Sequence, residues 1–89
     1  MALMWTERML LYREQFPKGS RVRIVDRRRL TDFQRTWKFH DPVSDDMLAF
    51  AGRTSIVVGV GFYHGGDVLY QLADVPGVWH EVCVEADQP

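Results

Sequence analysis

The sequence holds a single cysteine, Cys83, among 89 residues. No internal disulfide can form from it, and neither a zinc site built on several thiolates nor a CxxC redox pair can be assembled. This predicts a reducing compartment, the cytoplasm. Long apolar runs are missing as well. The N-terminal stretch MALMWTERMLLYREQF is interrupted by Glu7, Arg8, Arg13 and Glu14, so it lacks the apolar core of a signal peptide and the length of a membrane span. Cations are scarce after residue 40, where Arg53 stands alone against eight Asp/Glu; residues 1–40 hold ten Lys/Arg against four Asp/Glu. The net charge of −1 therefore hides a basic first half and an acidic second half. Such a division suits a basic face for an acidic partner, or two halves that neutralise each other across the fold.

What is present fits one small domain, since so few side chains cannot fill a second core. The chain is 46% apolar and 26% charged, a globular composition. Trp5, Met9, Tyr12 and Phe16 fall at steps of four, three and four, which predicts an amphipathic helix over 1–16 that Pro17 and Gly19 end. A helix this short needs a surface to dock on, either the protein's own sheet or a groove on another chain.

In RVRIV, Val22 and Ile24 alternate with Arg21 and Arg23, the pattern of a strand with one wet face. Residues 26–50 show no clean periodicity and read as a long excursion, with RTWKF as a short strand and SDDMLAF, capped by Ser44, as a helical turn. TSIVVGVGFY places Ile56, Val58, Val60 and Phe62 on one face and Val57, Gly59, Gly61 and Tyr63 on the other. The two glycines predict bending or close backbone approach. His64-Gly65-Gly66-Asp67 predicts a tight hairpin, VLYQLADV the next strand, and Val75-Pro76-Gly77-Val78 a type II turn. VWHEVCVEA closes the set as a single strand, with Val78, His80, Val82 and Val84 on one side and Trp79, Glu81, Cys83 and Glu85 on the other.

This order of elements, with Gly19 before RVRIV and Gly52 before TSIVVGV, resembles the SH3-like barrels of the KOW and Tudor kind, over about residues 16 to 86. A similar pattern occurs in the barrel of the nitrile hydratase β subunit and in small accessory subunits of photosynthetic complexes. The resemblance implies a mainly all-β chain: a five-stranded SH3-like barrel over 17–86, preceded by the 1–16 helix and followed by a free tail at 87–89. The excursion is long where the KOW motif is short.

Three surfaces are candidates. Trp37, Phe39, Tyr63, Tyr70 and Trp79, with Asp41, Asp45 and Asp46 beside them, have the makings of aromatic anchors rimmed by carboxylates that steer a basic protein segment. Arg21, Arg23, Arg27, Arg28, Arg29 and Lys38, interleaved with aromatics, suit RNA or single-stranded DNA, where guanidinium groups meet phosphates and rings stack on bases. His40, Asp41, His64, Asp67, His80 and Glu81 offer metal ligands, but at no recognised spacing. No motif names a reaction, and Cys83, flanked by Val82 and Val84, reads as a packed thiol. The expectation is a non-enzymatic module with no metal and no cofactor, contacting a protein partner away from any membrane. Nucleic-acid binding, or service as an accessory domain of a metalloenzyme, stands as the alternative.

Overall fold

The computed structural model describes residues 14–63 and 66–87, so the helix expected over 1–16 lies almost wholly outside the described residues. Five antiparallel strands form one sheet: β1 (Arg21–Ile24), β2 (Thr54–Phe62), β3 (Val68–Leu72), β4 (Val75–His80) and β5 (Val84–Ala86). Their order is β4-β3-β2-β1-β5. The sheet does not close by pairing β4 with β5. One α-helix, α1 (Arg27–Thr36), and a 3₁₀ turn (Asp46–Phe50) fill the connection from β1 to β2, and a second 3₁₀ turn (Glu81–Cys83) links β4 to β5. No helix among the described residues is long and apolar enough to cross a membrane.

In β1 the alternation holds as expected: Val22 and Ile24 are fully buried while Arg21 and Arg23 face outward. The excursion that follows departs from expectation, because its first half is α1 rather than irregular chain with a strand at RTWKF. Asp26 caps the helix, its carboxylate accepting the backbone N–H of Arg29 at 2.9 Å and thereby satisfying an orphan donor of the first turn. That bond holds the Asp26 carboxyl below its ordinary value. Leu30, Phe33 and Trp37 then recur at steps of three and four, which puts them on one helix face. Leu30 is buried and Phe33 packs against the core. The SDDMLAF turn forms as a 3₁₀ turn over Asp46–Phe50, with Asp45 rather than Ser44 at its cap position and Met47 buried.

The inner face of β2 differs from the simple alternation. Val57 is 1% exposed, whereas Ile56 and Val58 are 40% and 46% exposed. The cause is a bulge. Val57 stands opposite Leu72 and Gly59 opposite Gln71, so two steps along β2 match one along β3. An extra residue reverses side-chain parity beyond it. Val60 then pairs with the buried Tyr70 and packs against the core. The hairpin to β3 forms where expected, with the Tyr63 N–H donating to the Asp67 carbonyl at 2.8 Å.

The next turn lies at Ala73-Asp74, not at Val75-Pro76-Gly77-Val78, because Leu72 already pairs with Val75 and Asp74 takes the left-handed conformation at φ 58°. Pro76, Gly77 and Val78 instead stand opposite the single Gln71. An outward bow of this kind is tolerable because β4 is an edge strand, where the N–H that proline lacks is not needed by a neighbour. Gly77 has φ +98°, and a Cβ there would meet the Met47 methyl at 3.1 Å. Gly77→Ala is therefore expected to destabilise the domain by about 1–2 kcal/mol in urea unfolding, since both backbone and space resist a side chain. Gly61→Ala, with open space around its Cβ position, is the near-neutral control.

VWHEVCVEA is likewise not one strand. The 3₁₀ turn at Glu81–Cys83 resets the alternation, so Trp79 and His80 are both buried, as are Cys83 and Val84, while Val82 is 61% exposed. The basic and acidic halves meet along β1 and β5. Arg21 pairs with Asp87 at 2.6 Å, Arg23 with Glu85 at 3.3 Å, and Arg29 of α1 with the same Glu85 at 3.0 Å. Asp87, expected in the free tail, is thus tied to the sheet.

Candidate functional site

Just past α1 the chain turns a corner over residues 37–41. Trp37 ends the helix, its N–H donating to the Phe33 carbonyl at 2.8 Å. Its indole stacks on Phe33 with centroids 5.4 Å apart and lies 4.8 Å from the imidazole of His80. The indole N–H donates to the His40 carbonyl at 2.7 Å, which closes the corner on itself. Phe39 meets Trp37 edge-on at 5.0 Å and is otherwise the most exposed large apolar side chain among the described residues, at 70%. His40 turns the other way and stacks on Tyr63 at 3.6 Å with the planes 13° apart.

The polar atoms beneath these rings form one connected set. Nδ1 of His40 lies 3.0 Å from Asp41 Oδ2, and Nε2 lies 2.8 Å from Asp67 Oδ2. The other oxygen of Asp67 is 3.6 Å from Nε2 of His80. His80 is buried, and its Nδ1 accepts the Val82 N–H at 3.2 Å, capping the second 3₁₀ turn. The Asp41 carboxylate, with that of Asp67 adding to it, raises the His40 pKa against the opposing cost of burial. The bond from His40 in turn lowers the Asp67 pKa. Asp41 itself sits at φ 48°, a region that Asp and Asn enter more readily than other side chains.

Compared with models of known protein families, with curated proteins and with solved structures, the chain matches none. What the site can do must come from its own chemistry. His40, Asp67 and His80 have the residue types of a metal centre, with one donor atom each within 4.8 Å of the others. The tautomer of His80 opposes that use. A neutral imidazole carries one proton, and because Nδ1 accepts the Val82 N–H, the proton resides on Nε2. Nε2 faces Asp67 at 3.6 Å and is buried with no hydrogen-bond partner among the described residues, so an ion bound here would have to displace that proton.

The cluster holds no thiol among the described residues. Cys83 is buried elsewhere in the core, and desolvation pushes its thiol up to about 12, far from the thiolate form. A shallow depression of about 220 Å³ on the sheet, lined by Gly59, Val60, Gly61, Leu69, Gln71 and Val78, contains no ionisable group.

Of the residues expected on a partner surface, Trp37, Phe39, Asp41 and Tyr63 are brought together. Asp45 and Asp46 lie at the first 3₁₀ turn, where Asp45 accepts from Gln34 Nε2 at 2.9 Å. Tyr70 and Trp79 do not belong to the surface. Both are fully buried, Tyr70 accepting the Phe16 N–H on its hydroxyl at 3.2 Å, so neither offers area to a partner. Among the cations of the nucleic-acid alternative, Arg21, Arg23 and Arg29 are engaged by acidic side chains. Arg27, Arg28 and Lys38 are exposed, with no ion pair among the described residues. Of the metal-ligand candidates, Glu81 opens the second 3₁₀ turn and His64 lies outside the described residues.

From sequence, Phe33 figured only among the aromatics interleaved with the basic segment, and Asp67 and His80 only as metal-ligand candidates beside His40 and Asp41; that Phe33 underlies Trp37 and that Asp67 and His80 lie against the corner was not foreseen. Phe33 was findable from its spacing to Leu30 and Trp37. The other two depend on tertiary packing.

Proposed function

We propose that this chain is an SH3-like domain that works as a non-enzymatic binding module or small accessory subunit, seating a protein partner on the ledge made by Trp37, Phe39 and Tyr63. The strand order β4-β3-β2-β1-β5, a long insertion between β1 and β2 and a 3₁₀ turn between β4 and β5 support the fold part of this reading. The observation that carries the functional part is Phe39. A phenyl ring 70% exposed, held edge-on by a partly buried indole, is an apolar anchor presented on a fixed support. A small exposed ring with a pre-organised base costs little conformational entropy to bury, which is where binding energy concentrates.

Asp41 of the corner and Asp67 of the adjoining hairpin form a partly exposed acidic rim beside the ledge, and they favour a partner carrying Lys or Arg beside an apolar residue. A peptide array probed with the labelled domain should return such sequences. Phe39→Ala should weaken their binding by about tenfold or more while leaving the melting temperature unchanged, since the ring contributes little to the core. Return of acidic peptides, or equal binding by Phe39→Ala, would count against the ledge.

A further inference from the structure

His40 contacts two carboxylates at once, one on its own 37–41 corner and one across at the β2–β3 hairpin. Each of its ring nitrogens lies within 3.0 Å of a different carboxylate, Asp41 on its own corner and Asp67 at the end of the hairpin turn. A neutral imidazole has one N–H and serves one acceptor; two carboxylates at these distances require both nitrogens to carry protons. Tyr63, stacked on the ring at 3.6 Å, also favours the cation.

The other groups facing the ring are few. From β4 comes His80, its centroid 6.0 Å away, and from the corner itself Trp37, 5.3 Å away and edge-on. His80 Nε2 lies 3.6 Å from the other oxygen of Asp67, too far for a hydrogen bond, and has no hydrogen-bond partner among the described residues, so it leaves Asp67 Oδ2 to His40.

We propose that His40 is a proton-operated latch: as an imidazolium it ties Asp41 to Asp67 and closes the 37–41 corner on the β2–β3 hairpin, and loss of one proton frees one of these carboxylates and loosens the corner. Asp41 holds a left-handed backbone that its bond to His40 helps to fix, so the neutral ring also removes a restraint on that strained residue. The latch does not depend on what the ledge binds.

The direction with pH follows from the two groups. His40 is raised above its ordinary 6.5, so its contribution is complete below 6.5 and is lost as pH rises through the raised value. Asp67 is lowered from its ordinary 3.8, so its contribution is complete above 3.8 and is lost as pH falls through the lowered value. The corner is therefore held most firmly between those two ordinary values.

Side-chain ¹⁵N NMR of the histidines across pH tests this. The His40 midpoint is expected above 6.5 in the wild type, with the backbone amides of 37–41 shifting at that same midpoint. Asp41→Asn and Asp67→Asn should each bring the midpoint down by about one pH unit. Asn tolerates the left-handed backbone of position 41 as well as Asp does, so Asp41→Asn changes the charge without changing the turn and carries the test if Asp67→Asn fails to fold. A His40 midpoint at or below 6.5 overturns the latch. So do corner amides that ignore the His40 titration, an Asp41→Asn midpoint equal to that of the wild type, or uptake of one Zn²⁺ per chain that deprotonates Nε2 of His80.

Discussion

Trp79→Ala is expected to unfold the domain at room temperature. The side chain has no accessible surface and stands opposite Tyr70, itself fully buried, across the β3–β4 pair. Removing a buried indole costs about 3–5 kcal/mol in transfer and cavity terms, and a chain this short sits near the lower end of the usual ~5–15 kcal/mol of stability. Trp79→Phe separates volume from shape. The indole N–H has no hydrogen-bond partner among the described residues, so exchanging it for phenyl removes a buried orphan donor along with some packing. The two effects oppose, and a net loss of about 1 kcal/mol is expected. Far-ultraviolet circular dichroism through a urea titration distinguishes them; a Trp79→Ala chain as stable as the wild type would remove Trp79 from the core.

Leu30→Ala carries the second large effect. Leu30 is the one buried residue of α1, and it pins an otherwise very polar helix to the sheet. Its loss should cost about 2–5 kcal/mol. An isolated helix of this length is marginal in water, so α1 should fray together with the corner it delivers, exposing Trp37 and red-shifting tryptophan emission. Arg28→Ala on the exposed face should change stability by less than about 0.5 kcal/mol. Equal effects of the two substitutions would mean that α1 is not docked through Leu30.

The contrast between these residues also shows what could be read from sequence. β1 was legible because no irregularity disturbs it: Val22 and Ile24 alternate with arginines and face the core. In β2 the same rule put Ile56, Val58, Val60 and Phe62 on one face, and the bulge between Val57 and Gly59 divides that set, leaving Ile56 and Val58 outside while Val60 packs on the core. Gly59, adjacent to the bulge, was the visible sign, since glycine within a strand marks such sites. Val75-Pro76-Gly77-Val78 offered a stronger turn signal than Ala73-Asp74, yet Asp74 accepts the left-handed conformation and the pairing of Leu72 with Val75 fixed the shorter turn. The α1 signal, an Asp26 cap followed by Leu30, Phe33 and Trp37 at helical spacing, was present but masked by a run of arginines.

At the site, Trp37, Phe39, Asp41 and Tyr63 could be named from aromatic and acidic content alone. That His80 would be buried beneath them could not, because its position depends on the second 3₁₀ turn placing two consecutive residues, Trp79 and His80, inside. Tyr70 and Trp79 were assigned to the surface by residue type, although a small core fills itself first with its largest rings.

The 37–41 corner packs on the hairpin and on β4, so that rings and carboxylates from separate parts of the chain make one surface. Nuclear Overhauser contacts at mildly acidic pH test it directly. Cross-peaks between the His40 and Tyr63 rings, and between the Trp37 indole and the His80 ring, are the expected result. A corner whose side chains give only sequential contacts and random-coil shifts would contradict it.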